Sequence, residues 1–143
     1  MQHISVFISH SHVDDEYIKL IKSINKNPNN TLIFTDTSLL YPVYNDNGHI
    51  IRRPPSDPKA KPVKKEIKCL LKNTNKLLAL IGNDTHSKEW VSWEIEAFVS
   101  MHAWDNVLLM KTPDNDRGGK PQIAKNLELH DWNIKLLTDW IFS

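Results

Sequence analysis

The segment KLLALIGNDTHSKEWVSWEIEAFVSMH, residues 76–102, joins an apolar run, a turn and an amphipathic stretch. The run Lys76–Ile81 predicts a buried strand, because every residue in it after the lysine is apolar. The turn-forming residues GND at 82–84 predict the end of that strand. Apolar residues then recur with helical spacing from Ser87 to His102. The segment therefore predicts a strand–turn–helix unit, the repeating element of a parallel α/β sheet.

The same alternation continues on both sides of this unit. Before it, the pattern predicts a strand at Ile4–Ile8, a helix begun by Ser11 and Asp14 with apolar residues from Val13 to Ile24, a strand at Thr31–Phe34, and a helix marked by Val63, Ile67, Leu70 and Leu71. After it, the pattern predicts a strand at Asn106–Met110, a polar loop at 112–126 and a terminal helix at Trp132–Phe142.

This order predicts one α/β domain over residues 1–143, with a flavodoxin-like parallel sheet of four or five strands and helices on both faces. Ligands of such sheets bind at the carboxyl ends of the strands, near the switch point between the first and third strands. The prediction places Ser9 to His12, Asp36 and Gly82 to Ser87 around one crevice.

Residues 37–62 hold six prolines and glycines and predict a long irregular loop, which in a compact domain is usually functional or mobile. Residues 52–72 carry eight Lys and Arg against Asp57 and Glu66, a local net charge of +6. We interpret this stretch mainly as a solvated face. Contact with a pyrophosphate, an acidic protein patch or RNA is the alternative.

Composition places the chain among ordinary globular proteins. It has 143 residues, 40% hydrophobic and 24% charged, with a net charge of +1, so global charge predicts neither a nucleic-acid nor a membrane partner. The single Cys69 excludes an intramolecular disulfide and any multi-cysteine zinc site. We expect Cys69 to be buried beside Leu70. The first residues lack the basic start of a signal peptide, and no apolar run approaches ~20 residues, so a cytoplasmic location is expected.

Glu94 falls on the predicted core side of its helix. On a helical wheel of about 100° per residue with Trp90 at zero, Glu94 lies at about 40°, among apolar residues that include Met101. Glu89 and Glu96 lie on the opposite, solvated side. A buried carboxylate is costly unless it is paired. It therefore marks either a structural hydrogen bond or ion pair, or a functional cleft. Glu94 also lies about 10 Å along the helix from Ser87, so such a cleft must run down the side of the helix.

Three segments resemble the family of TIR-like domains, specifically the branch that includes the TIR protein of Thoeris anti-phage systems. VFISHSHVDDEY resembles the first TIR strand and its loop, IFTD at 33–36 resembles the end of the second strand, and SKEWVSWEI at 87–95 resembles the helix that carries the glutamate of catalytic TIR domains. The resemblance implies that Glu94 is catalytic. It implies that the nucleotide pocket is lined by Phe7, Ser9, His10, Phe34, Asp36 and Trp90.

Catalytic TIR domains cleave the nicotinamide–ribose bond of NAD, so the resemblance implies an NAD glycohydrolase or ADP-ribosyl cyclase with NAD as substrate and no cofactor or metal. It also implies an ADP-ribose-derived, cyclic signalling nucleotide that reaches a partner effector by diffusion, a phage-derived trigger, and self-association. The chemistry is consistent with one carboxylate, because nicotinamide leaves as a neutral molecule from an oxocarbenium-like transition state.

Other functions compete with this one. A TIR-like domain can act as a non-catalytic interaction module, and a nucleoside deoxyribosyltransferase has a related fold and a glutamate. The pair His10 and His12, with Asp14 and Asp15, also suggests a metal site, but a polar loop is the favoured interpretation, because no second cluster of histidine and acidic residues is evident in the sequence. Whether Glu94 opens into a pocket or is sealed by a partner discriminates the enzyme from the interaction module.

Overall fold

The computed structural model describes residues 2–10, 15–24, 30–36, 43–44, 50–51, 55–83, 88–116 and 118–143. Its strands are β1 (Gln2–Ser9), β2 (Asn30–Asp36), β3 (Val43–Tyr44), β4 (Ile50–Ile51), β5 (Lys76–Ile81), β6 (Val107–Lys111) and β7 (Leu129–His130). Its α-helices are α1 (Asp15–Lys22), α2 (Lys61–Lys72), α3 (Lys88–Val99) and α4 (Ile134–Ile141). Short 3-10 turns occupy Pro58–Ala60, Trp104–Asn106 and Gln122–Ala124.

Five strands form one parallel sheet in the order β2-β1-β5-β6-β7. Strand β1 lies between β2 and β5, with Ile8 opposite Asp36 and Ser9 opposite Ala79. The chain therefore reverses its progress across the sheet between β1 and β5, which is the predicted switch point. The flavodoxin-like α/β fold predicted from the sequence is confirmed.

Two apolar layers cover the two faces of the sheet. One cluster joins alternate residues of the central strands to α2 and α3, and the other joins the intervening residues to α1 and α4. Strand β5 shows the alternation, since Leu77 and Ala79 belong to the first cluster and Leu78 and Leu80 to the second. Every residue of β5 is buried, as expected of a central parallel strand with helices on both faces.

The end of α3 differs from the sequence prediction. We expected a helix to His102 with Met101 on its core face, but α3 ends at Val99 and Met101 is 40% exposed. A helical wheel no longer describes side-chain direction once the helix has ended, so Met101 points away from the core side. The predicted helix start at Ser87 lies outside the described residues.

The expectation that Cys69 is buried is also wrong. Helix α2 buries Ile67 and Leu71 against the sheet, whereas Cys69 is exposed. Position 69 lies about 200° from position 67 around the helix axis, which places Cys69 on the opposite face. Its neighbour Leu70 is partly buried and belongs to the core side.

The segment predicted as one irregular loop, residues 37–62, contains regular structure where it is described. Strands β3 and β4 form an antiparallel pair in which Val43 is opposite Ile51. A 3-10 turn at Pro58–Ala60 leads directly into α2, which begins at Lys61 with a proline in its first turn. Proline is accepted there because the first helical N–H groups have no intrahelical partner. Residues 37–42, 45–49 and 52–54 lie outside the described part.

Strand β7 was not predicted from the sequence. Its two residues, Leu129 and His130, are too few to show a period-2 pattern, and only their pairing with Leu109 and Met110 of β6 defines them as a strand. None of the helices in the described part of the chain has the length and apolar content needed to cross a bilayer.

Candidate functional site

A hydrogen bond joins the end of β1 to the middle of α3. The Ser9 hydroxyl donates to Oε1 of Glu94 over 3.0 Å. Both side chains are buried, with 1% of Ser9 and 2% of Glu94 exposed. The contact joins residues 85 positions apart in the chain, at the carboxyl end of the strand beside the switch point. This is the edge of the sheet where ligands of α/β proteins bind.

The periodicities of the two elements explain why these side chains meet. Phe7 belongs to the apolar cluster that faces α2 and α3, and Ser9, two residues later on the same strand, points to the same face. Glu94 is one helical turn after Trp90 and one turn before Phe98, and both of those residues are buried in the same cluster. The core-side position that the wheel gave Glu94 is therefore confirmed by its burial.

The buried carboxylate of Glu94 needs polar contacts to offset its loss of hydration. The Ser9 hydroxyl supplies one of them and fixes the direction in which Oε1 points. Glu94 lies six residues beyond the first residue of α3, roughly 9 Å along the helix axis. The candidate site consequently lies along the side of α3 rather than at its N-terminus, as the sequence argument required.

The residues expected at the end of β1 occupy two different positions. His10 directly follows Ser9 and is 4% exposed, so it borders the same carboxyl edge. Phe7 is fully buried two residues earlier and packs within the apolar layer under α2 and α3. Phe7 thus supports the strand from which Ser9 projects.

The residues expected from β2 are not gathered around Glu94 in the same way. Phe34 is partly buried against the cluster that faces α1 and α4, on the other side of the sheet from Ser9. Asp36 is the last residue of β2 and pairs with Ile8, so its backbone lies at the carboxyl edge. The side chain of Asp36 lies outside the described part.

Two tryptophans close to Glu94 in the sequence of α3 pack against each other. The Trp90 and Trp93 rings meet edge to face, with centroids 5.6 Å apart and planes at 77°. Trp90 is 5% exposed and belongs to the apolar core, whereas Trp93 is only partly buried. Edge-to-face ring pairs of this kind add stability beyond burial alone, so the contact stabilises this part of α3.

A polar network that the sequence analysis did not identify ties the exits of β5 and β6 together. The Asn115 side chain donates to the carbonyl oxygen of Ile81 over 2.6 Å, and its Oδ1 accepts from the N–H of Gly118 over 2.7 Å. The Asn83 side chain donates to the carbonyl of Asp114 and accepts from the N–H of Asp116. These contacts, which we call the edge network, hold two neighbouring loops at the carboxyl edge.

Gly118 lies at the closest approach of these two loops. A Cβ atom at position 118 would overlap the carbonyl oxygen and carbon of Gly82, whereas a Cβ at the adjacent Gly119 would meet nothing within 4 Å. The adjacent glycines at 118 and 119 are the sequence signal for such a close approach of two loops. Packing requires a glycine only at position 118.

The metal interpretation finds no support in the part of the chain that the structure describes. Within that part, no group of three or more His, Cys, Asp or Glu residues is placed to hold a metal ion. His12 and Asp14 of the predicted cluster lie outside it, so the metal interpretation of that cluster stays a prediction.

Comparison with known families gives one result. A family model described as Thoeris protein ThsB, TIR-like domain, matches residues 7–117, which include Ser9, Glu94 and every residue of the edge network except Gly118. None of the curated proteins compared with the chain matches it significantly. The match covers most of the chain and ends before β7 and α4.

Proposed function

This chain belongs to the family of Thoeris ThsB TIR-like domains, a family of anti-phage defence, and we propose that it cleaves NAD at the nicotinamide–ribose bond. The observation that carries the proposal is the position of Glu94, whose carboxylate accepts a hydrogen bond from Ser9 at the carboxyl end of β1, beside the switch point of the sheet. The proposed product is a cyclic ADP-ribose-derived nucleotide that activates a partner effector. A phage-derived trigger starts its synthesis.

The proposed chemistry requires one well-placed negative charge. Nicotinamide departs as a neutral molecule, so no general acid is needed, and positive charge develops on the ribose as the bond lengthens. Glu94 would stabilise that charge from a site of low dielectric constant, where electrostatic interactions are stronger than in water. The Ser9 hydroxyl would keep the carboxylate in one orientation, so that no reorganisation is needed during the reaction.

Cyclisation requires that water be kept from the ribosyl cation until an atom of the same nucleotide attacks it. The residues around Glu94 suit that requirement, because Ser9, His10 and Trp90 are each buried. A closed, largely dry site suppresses hydrolysis of reactive intermediates. A cyclic product, rather than free ADP-ribose, requires that this exclusion of water persists when NAD is bound.

The test compares three proteins: the parent chain, Glu94→Gln and Glu96→Gln. Glu96 lies on the same helix but is exposed, so Glu96→Gln removes a carboxylate without touching the site. Each protein is incubated with NAD, with and without extract of phage-infected cells, and nicotinamide and nucleotide products are measured by mass spectrometry. We expect Glu94→Gln to lower nicotinamide release roughly 10²–10³-fold and Glu96→Gln to leave it unchanged.

The fold of each variant is checked by thermal unfolding. Nicotinamide release by Glu94→Gln at the parent rate would refute the catalytic assignment. Release of nicotinamide with only linear ADP-ribose as product would refute the cyclic product and keep the cleavage.

A second candidate function is a non-catalytic TIR-like interaction module. The low exposure of Glu94 favours it, because a carboxylate whose role is structural is expected to be sealed and hydrogen-bonded. This candidate predicts that the parent chain releases no nicotinamide under any activating condition. It also predicts that Glu94→Gln lowers the free energy of unfolding.

A further inference from the structure

A groove along the outer side of α2 carries a concentrated positive charge. It has a volume of about 700 Å³ and is lined by five lysines, Lys61, Lys64, Lys65, Lys68 and Lys72. We call it the basic groove. Its lysines recur at spacings of three and four residues, so they lie along one face of the helix over roughly 16 Å.

The lining of the basic groove contains more lysines than carboxylates, since its five lysines are accompanied by one aspartate, Asp57, which gives a net charge of +4. Like charges three and four residues apart destabilise a helix, so the five lysines oppose the folding of α2. A negatively charged partner would reduce the repulsion between these lysines.

The floor of the basic groove is apolar. Cys69 and Met101 both line it, and both are exposed. The aliphatic stems of the lysines add further apolar surface below their charged groups. The groove thus combines a cationic rim with an apolar floor, which a partner must match with anionic groups around an apolar side chain.

One wall of the basic groove is fixed by contacts with Trp93. The ammonium groups of Lys64 and Lys68 lie 6.0 Å and 5.9 Å from the centre of the Trp93 ring. These cation–π contacts hold two of the cations near the same place. Because the two ammonium groups lie close to the Trp93 ring, less of the ring is accessible for stacking against a nucleic-acid base.

We propose that the basic groove docks an acidic segment of a protein partner, with carboxylates on the lysines and an apolar side chain over Cys69 and Met101. A helical segment with several carboxylates along one face fits a row of charges of this length better than a single phosphate. Single-stranded nucleic acid fits less well, since binding of that kind relies on exposed aromatic rings for stacking. The inference goes beyond the proposed reaction and does not depend on it.

The experiment measures the binding of a fluorescent helical peptide by anisotropy. The peptide carries glutamates at positions i, i+3, i+4 and i+7 around one leucine, and a second peptide has serine in place of the leucine. Lys61→Glu/Lys65→Glu/Lys72→Glu alters exposed lysines of the basic groove. The matched control, Lys19→Glu/Lys22→Glu/Lys135→Glu, makes the same change of charge on exposed residues of α1 and α4.

We expect the groove variant to bind the peptide at least roughly tenfold more weakly than the parent, because each exposed ion pair contributes a factor of about two to five. The control variant should change affinity less than about twofold, since its lysines belong to helices that cover the other face of the sheet, and salt screens exposed charges that are far apart. The serine peptide should bind more weakly than the leucine peptide. Bound peptide should slow the alkylation of Cys69, which is the chain's only cysteine.

Three results would overturn the proposal. The first is no binding of the leucine peptide up to about 1 mM, which marks the weak end of specific recognition. The second is equal weakening by the two triple variants, which would mean non-specific attraction. The third is tighter binding of an oligouridine RNA or of inorganic triphosphate than of the peptide, with the same protection of Cys69. That result would assign the groove to nucleic acid or to a small polyanion.

Discussion

Glu94 and Lys76 are both ionisable side chains buried against the same parallel sheet, but they lie at opposite ends of its strands. Glu94 is held by Ser9 where β1 ends. Lys76 begins β5 and is 9% exposed. Its ammonium group donates to the carbonyl oxygen of Trp140 and to the hydroxyl of Ser143, and it lies 5.0 Å from the Trp140 ring centre.

The partners of these two groups explain why only one of them is a candidate for chemistry. Lys76 is surrounded by the end of α4, where carbonyl groups carry partial negative charge and suit a cation. Its contacts attach the last helix to the sheet. Glu94 instead lies at the carboxyl edge, where the reversal of strand order opens a crevice in α/β folds. A buried charge is therefore interpreted by its place in the topology as well as by its burial.

After the loss of activity expected for Glu94→Gln, the largest effect should come from Gly118→Ala. A Cβ at this position overlaps the backbone of Gly82, and backbone cannot move aside as a flexible side chain can. We expect the free energy of unfolding, measured by urea denaturation, to fall by about 1–3 kcal/mol. Gly119→Ala is the control and should leave it unchanged. Equal effects of the two substitutions would mean that the loops at the carboxyl edge are not held in this arrangement.

Ser9→Ala should produce the next largest effect. It removes the hydrogen bond to Glu94 Oε1 and is expected to lower the rate of nicotinamide release roughly tenfold, with KM for NAD nearly unchanged. Ser9→Thr retains a hydroxyl and should recover part of the rate. Ser5→Ala, on the same strand, is the control for the substitution itself. A loss of stability without a change in the rate per folded molecule would give Ser9 a purely structural role.

The smallest effect is expected from Lys76→Met, which replaces a buried cation by an apolar side chain of similar length. The carbonyl oxygen of Trp140 also accepts from the hydroxyl and the N–H of Ser143, so it stays paired after the substitution, and we expect a change of less than about 1 kcal/mol at neutral pH. Unfolding by urea measures this change. A large loss of nicotinamide release in this variant would contradict the assignment of a catalytic role to Glu94 and of a purely structural role to Lys76.

The same variant has a characteristic pH dependence. Burial lowers the pKa of Lys76, so the folded chain releases this proton at a lower pH than the unfolded chain. Between the two pKa values the unfolded state binds more protons, and stability therefore rises with pH across that interval. The difference in unfolding free energy between the parent and Lys76→Met should shift in favour of the parent as the pH rises through it. If the difference in unfolding free energy between the two proteins does not change with pH, burial does not lower the pKa of Lys76.

The sequence predicted the central elements well because their patterns are local. The bounds of β5 were predicted as Lys76–Ile81 and are confirmed. The core-side position of Glu94 followed from helical periodicity alone and is also confirmed. Met101 and Cys69 were misplaced because the wheel was extended past the end of α3 and because an apolar neighbour was taken as a guide to burial. Strand β7 is too short to have any pattern.

By itself, the sequence determined the alternation of strands and helices, the flavodoxin-like class, the anomalous carboxylate at position 94 and the excess of lysines before β5. The alternation, the fold class and the position of Glu94 depend on periods of two and 3.6 residues, and the lysine excess depends on composition. Both can be recognised within a short stretch of the chain. Only the tertiary structure decided that Ser9 holds Glu94, that Phe34 lies on the other face of the sheet, and that Gly118 must approach Gly82. Those contacts join residues far apart in the chain, and they depend on strand order and register, which the sequence leaves open.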